Sequence, residues 1–180
     1  VINTGRVDYN HFHLRNVNLS LNAEIDLNKP VYEAYIKHFS FYERNSGLVL
    51  KNLELDAIAD TTGVVLNNLY AETSKCEFDV TALIKNINFF GEKPDIYKAN
   101  LVLNIDAKKF NINELSKFLP SDLPVSGVYA YKISADGKIN DLTVNVPNLS
   151  SGKSEISFKG YIKNITNDNR YIKVNFKKSK

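Results

Sequence analysis

A two-residue rhythm of apolar and polar side chains restricts the fold of this chain more than any other feature. Val17, Leu19, Leu21, Ala23, Ile25 and Leu27 alternate with Asn18, Ser20, Asn22, Glu24 and Asp26. Successive side chains of an extended backbone point to opposite sides, so this stretch predicts a strand with one apolar face. The alternation returns in Leu53, Leu55 and Ala57, in Cys76, Phe78 and Val80, and in Leu101, Leu103, Ile105 and Ala107. It appears again in Leu142, Val144 and Val146, in Ile156 and Phe158, and in Ile172, Val174 and Phe176. Strands dry on one side only belong to antiparallel sheets, because strands of a parallel α/β sheet read as unbroken apolar runs.

The connectors agree. Asp136-Gly137 lies between two alternating segments and predicts a tight hairpin turn needing positive φ. Gly5, Gly47, Gly63 and Gly152 punctuate polar stretches between strands. Only Asn111–Pro120 looks helical: Asn111 and Glu114 have N-cap spacing, and Ile112, Leu115 and Phe118 or Leu119 share a face until Pro120. Such a short helix is expected to plug one end of the sheet's apolar face. A loose repeat links Gly47–Leu53, Gly63–Leu69 and Gly137–Leu142, and its drifting Gly-to-Leu spacing favours successive hairpins over a solenoid of fixed period. The expected fold is all-β: a curled, mainly antiparallel sheet, either an open U-shaped trough or an incomplete sandwich, in one section spanning 1–180.

Composition narrows the function. A chain of 180 residues with 43% hydrophobic and 24% charged residues can bury a core, which excludes intrinsic disorder. A formal net charge of +3, dispersed along the chain, gives no footprint for nucleic acid. The lone Cys76 cannot form an internal disulfide and leaves the compartment open. The sequence opens at Val1, contains no Met, and carries no signal pattern and no apolar run near 18 residues. It reads as a piece of a longer chain.

Residues capable of chemistry are sparse. His11 and His13 would share one face of a strand, but His38 is the only other histidine and no carboxylate pattern completes a metal site. Cys76 belongs to an apolar alternation and reads as a packed thiol. No phosphate-binding glycine loop or hydrolase signature is present, and Glu24, Asp26, Glu54 and Asp56 occupy polar strand positions. No enzyme, metal or cofactor is expected. Tyr32, Tyr35, Phe39, Phe41 and Tyr42, near Lys37, His38 and Arg44, have the makings of a stacking surface, but a strand packing its rings on one side explains them better. The tail Lys173–Lys180, with Lys177, Lys178 and Lys180, offers charge to anionic headgroups, although a frayed, solvated end explains it as well. The sequons at Asn18, Asn148 and Asn164 are expected by chance in so Asn-rich a chain.

The segment Phe39-Ser40-Phe41-Tyr42-Glu43-Arg44-Asn45-Ser46-Gly47-Leu48-Val49-Leu50-Lys51-Asn52-Leu53 resembles the "sFxExSGFxLxxL" phrase of AsmA-like proteins of the TamB type (translocation and assembly module), especially those of Bacteroidetes. Leu66–Cys76 is similar to the phrase that follows it, "LxxLxxxTxxS", with the Thr-to-Ser spacing altered. Tyr131–Leu142 is similar to that family's "xGxxGxLxxL" hairpins, with Ser134 or Ala135 where the first Gly stands. The resemblance spans roughly residues 17 to 165. It implies a parent protein anchored in the cell inner membrane, crossing the periplasm as a long β-sheet groove with an apolar interior. It further implies a role in outer membrane biogenesis: phospholipid transport between inner and outer membranes, protein translocation and assembly, or both. The implied partners are phospholipid acyl chains, neighbouring strands of the same parent protein and an outer-membrane barrel protein.

A sheet with one apolar face must bury it against a second layer, against itself or against a ligand. The side chains expected to line the groove are Leu19, Leu21, Leu53, Leu55, Leu101, Leu103, Ile105, Val144, Val146, Ile156 and Phe158. The alternative is a closed β-sandwich serving as a binding or adhesion module for a protein or glycan.

Overall fold

The computed structural model describes residues 11–26, 28, 30–91, 94–116, 126–165 and 169–179, with Leu115, Lys178 and Ser179 described by backbone alone. Leu27, Gly5, Lys117 to Pro120, Thr166 and Lys180 lie outside the described residues. The strands are β1 (Leu14–Asp26), β2 (Val31–Glu43), β3 (Leu48–Ala59), β4 (Gly63–Thr73), β5 (Glu77–Lys85), β6 (Asn100–Asn111), β7 (Val128–Lys138), β8 (Asp141–Ser151), β9 (Ser154–Lys163) and β10 (Tyr171–Ser179). A 3-10 turn at Ile96–Lys98 precedes β6, and a one-turn helix α1 (Ile112–Leu115) follows it.

All ten strands form one antiparallel sheet in chain order, β1 to β10. The sheet does not close into a barrel: among the described residues β1 pairs only with β2 and β10 only with β9. Among the described residues no second sheet covers it, so these strands do not make a two-sheet sandwich. Bulges or register irregularities interrupt eight of the nine pairings. Each bulge bends its strand and increases the local twist, which keeps so wide a sheet from lying flat.

Register fixes the two faces, because residues paired across antiparallel strands point to the same side. One row crosses every strand: Ile25, Tyr32, Ala59, Val64, Ile84, Leu101, Gly137, Leu142, Ile162 and Ile172. The next row on that face is Ala23, Ala34, Ala57, Leu66, Ala82, Leu103, Ala135, Val144, Gly160 and Val174. The opposite face carries cross-strand ion pairs: Lys51 with Glu72 at 2.8 Å, Lys108 with Glu77 at 2.6 Å and Lys132 with Asp106 at 2.7 Å. These charges keep the wet side in water.

Several local expectations need correction. The hairpin between β7 and β8 turns at Ile139 and Asn140, three residues later than predicted. Gly137 instead sits inside β7 at φ 131°, opposite Leu142, where a Cβ would run into the Asp141 carbonyl oxygen. Asn111 does cap α1, its side chain accepting from the Asn113 N–H at 3.0 Å, but Glu114 does not return to the cap and turns to Thr73. His11 and His13 precede β1 and do not lie on a strand. The chain end is no frayed tail either, since Lys173 and its neighbours run as β10 through Ser179. Strict alternation marked seven of the ten strands, whereas β2, β4 and β7 were signalled by an aromatic cluster, a glycine turn and the flank of the Asp-Gly pair.

Candidate functional site

The apolar face is the candidate site. All eleven predicted groove residues lie on it. Leu21 pairs with Ile36, Leu55 with Leu69, Val80 with Ile105, and Ile105 with Ile133. Leu53 pairs with Ala71, Leu101 with Ile84, Leu103 with Ala82, Val144 with Gly160 and Val146 with Phe158. Ile156 faces Leu149, and Leu19 faces Phe39. Sequence reasoning missed Ile36, Phe110, Tyr131 and Leu149, which belong to the same surface. Their alternation was legible in β7, where Tyr129, Tyr131, Ile133 and Ala135 occur every second residue.

The face is only partly covered. Val146 is 3% exposed, whereas Leu19 and Leu21 on the edge strand are 52% and 51% exposed. The other eight are half-buried. In a sealed core the large aliphatic side chains would be excluded from solvent, and among the described residues only Leu48, Ile87, Leu142 and Val146 of them are, beside the smaller Ala71, Ala99, Ala107 and Ala135.

Two cavities lie on this face. One, of about 240 Å³, is walled by Phe41, Leu48, Leu50, Phe78, Phe110 and Glu114 among others. The second, of about 330 Å³, is walled by Phe110, Ile112, Tyr129, Tyr131, Val146 and Phe158 among others. Phe110 belongs to both, its ring 6.1 Å from Phe78 and 5.4 Å from Tyr131. Helix α1 contributes Ile112 to one cavity and Glu114 to the other, so it stands between them as a partition. Together the walls reach from β2 to β9.

One polar cluster anchors that partition. Glu114 is 4% exposed, and its carboxylate accepts the Thr73 hydroxyl proton. Thr73 Oγ1 in turn accepts from the N–H groups of Lys75 at 3.1 Å and Cys76 at 2.9 Å. The Asn111 N–H donates to Cys76 Sγ at 3.3 Å. Burial pushes the Cys76 thiol pKa up, and the nearby Glu114 charge adds to the rise. A thiol held protonated is a poor nucleophile, and the hydrogen bonds of this cluster tie α1 to the turn between β4 and β5.

A second buried carboxylate closes the β2–β3 turn. Glu43 is 1% exposed and accepts from Ser46 N–H at 2.6 Å, Ser46 Oγ at 2.5 Å, Asn45 N–H at 3.0 Å and His13 N–H at 3.4 Å. Gly47 follows at φ 65°. The Glu-x-x-Ser-Gly phrase noted in the sequence is therefore a self-capped turn.

His38 lies on the polar side, with Nδ1 2.6 Å from Asn52 Oδ1 and Nε2 3.0 Å from Ser40 Oγ. Among the described residues no group of three or more His, Cys, Asp or Glu is placed to hold a metal ion. The aromatic residues of β2 divide, with Tyr32, Phe39 and Phe41 on the apolar side and Tyr35 and Tyr42 opposite. Tyr32 stacks on Phe90 with centroids 4.3 Å apart. Among the described residues no helix is long and apolar enough to cross a membrane, which says nothing of strands.

Fold and site together define an open antiparallel sheet protein with a continuous, partly exposed apolar face. No family model, curated protein or solved structure matches this chain.

Proposed function

We propose that this sheet is one section of an envelope-spanning protein of the AsmA/TamB type, which carries phospholipid acyl chains along its apolar face between inner and outer membranes. Outer-membrane protein assembly is the related role that the resemblance implies. The parent protein would be anchored in the inner membrane, with this section in the periplasm.

The observation that carries the proposal is the unbroken apolar surface: rows crossing ten strands, half-exposed and hollowed by two cavities between β2 and β9. Nine strand spacings of about 4.8 Å make such a row about 43 Å long. Half of a bilayer's hydrocarbon core is only about 15 Å deep, so the row outspans a single acyl chain more than twofold. Each methylene laid on it gains about 0.8 kcal/mol, while the headgroup stays in water. Chains can therefore lie in file along the face without covalent chemistry.

The test is a photo-crosslinking amino acid at Leu103, on the apolar face, compared with one at its exposed neighbour Asn104, on the polar face. Phospholipid adducts are expected at 103 and not at 104, and native mass spectrometry of the purified chain should show bound phospholipid. Leu103→Asp should strip most of that lipid while costing less than about 2 kcal/mol of stability, because Leu103 is only half-buried. Equal crosslinking at both positions, or no lipid in either assay, would refute lipid carriage by this section.

A further inference from the structure

We infer that three turns along one rim of the sheet, carrying Arg44, Lys75 and Lys153, bind the phosphate of the lipids whose acyl chains lie on the apolar face. This rests on the lipid-carriage reading and adds to it the side on which the headgroups travel. In a meander every second connection falls at the same end of the strands. The β2–β3, β4–β5 and β8–β9 turns therefore share a rim with the connection that holds α1.

The charge of these turns is one-sided. Residues 44–47 hold Arg44 as their sole charged side chain, residues 74–76 hold Lys75 and residues 152–153 hold Lys153, and all three are exposed. Among the described residues none of the three pairs with a carboxylate, whereas Lys51, Lys98, Lys108 and Lys132 each do. The acids of this rim are occupied or turned away. Glu43 and Glu114 are buried and hydrogen-bonded, and Glu72 and Glu77 are held by Lys51 and Lys108. Glu155 pairs with Ser150, one position off the apolar pair Leu149–Ile156, and so lies on the polar face.

The opposite rim differs. Its β3–β4 turn carries Asp60, its β7–β8 turn carries no charge, and Lys98 is tied to Asp95 at 3.0 Å. Among the described residues of its connections, only Arg170 is an unpaired cation. Lys85, Lys138 and Lys163 stand at the strand ends there, but they share a row with Gly63 and Asn100 on the polar face.

Both cavities sit at the basic end of the face. Leu48 lies four residues after Arg44, Cys76 adjoins Lys75, and Leu149 lies four residues before Lys153. An acyl chain seated in either cavity puts its headgroup beside one of these turns, because the charged group must stay in water. Arg44 offers a planar fork that matches two phosphate oxygens, and the lysines act as point charges. The β2–β3 and β4–β5 turns are two strands apart, about 10 Å. That is close to the screening length in about 0.1 M salt, so a phosphate leaving Arg44 still feels Lys75.

The test compares two lipids on the purified 180-residue chain: dioleoyl phosphatidylglycerol, and dioleoylglycerol, which has the same chains and no phosphate. Displacement of an uncharged pyrene-labelled fatty alcohol reads the affinity of each. At low salt the phosphate-bearing lipid should bind about five- to tenfold tighter, and high salt should erase most of the difference. Changing Arg44→Gln, Lys75→Gln and Lys153→Gln together should abolish the preference. Changing Lys85→Gln, Lys138→Gln and Lys163→Gln together removes the same charge elsewhere and should leave the preference intact. Circular dichroism verifies that both variants fold. Equal affinities in wild type, a preference that survives in the rim variant, or a preference lost in both variants alike would overturn the phosphate rim and leave lipid carriage standing. Binding of neither lipid would refute lipid carriage itself, and the rim with it.

Discussion

Replacing Glu43 by Gln probes the turn that joins β2 to β3 at one end of the candidate groove. The Glu43 carboxylate is buried and accepts four hydrogen bonds. Burial alone would raise its pKa, but the hydroxyl and N–H of Ser46, with the N–H groups of Asn45 and His13, outweigh it and hold the pKa at about 2. The difference from the ordinary value of 4.5 corresponds to about 3 kcal/mol of stabilisation by the ionised form. A carboxyl whose folded pKa is depressed contributes fully above its unfolded value, and the contribution is lost as pH falls from about 4.5 to about 2. Glu43→Gln keeps the shape but puts an amide donor where only acceptors fit, so the loss at pH 7 should be about 2–3 kcal/mol. Urea unfolding followed by far-UV circular dichroism measures it in a chain without tryptophan. The gap between wild type and variant should narrow steadily between pH 4.5 and pH 2. A gap of the same size at pH 7 and at pH 2.5 would show that the ionised carboxylate does not hold this turn.

Gly137→Ala should cost at least about 2 kcal/mol in the same assay, because φ 131° and the Asp141 carbonyl both oppose a Cβ. Gly47→Ala, at φ 65° with open space around it, should cost only about 1 kcal/mol, and equal losses would contradict this account of the two glycines. Thr73→Val should destabilise the fold by about 2 kcal/mol by leaving the buried Glu114 carboxylate without its hydroxyl donor, whereas Thr73→Ser should restore most of the loss. If Thr73→Ser fails to rescue, the methyl group and not the hydrogen bond secures α1.

The class of fold and the identity of the apolar face were decided locally. Leu101, Leu103 and Ile105 alternate with polar neighbours, and an extended chain has no choice but to present them on one side. The same logic placed Leu142, Val144 and Val146 correctly, residue by residue. It failed where the signal was not local. Gly137 looked like a turn centre because Asp-Gly favours one, yet pairing with both β6 and β8 drew it into a strand and moved the turn to Ile139 and Asn140. Glu114 had the spacing of a capping residue, but Thr73, 41 positions earlier, offered a hydroxyl inside a cavity wall.

What the amino-acid order determined by itself is therefore the two-sidedness of each strand. Only the tertiary structure decided that the ten strands join in one file that does not close on itself, that α1 divides the hollow beside Phe110, and that Glu24 and Lys173 share one row. Alternation depends on neighbours two residues apart, whereas register depends on bulges and turns summed over ten strands. A single-residue slip anywhere would move every later side chain to the other face.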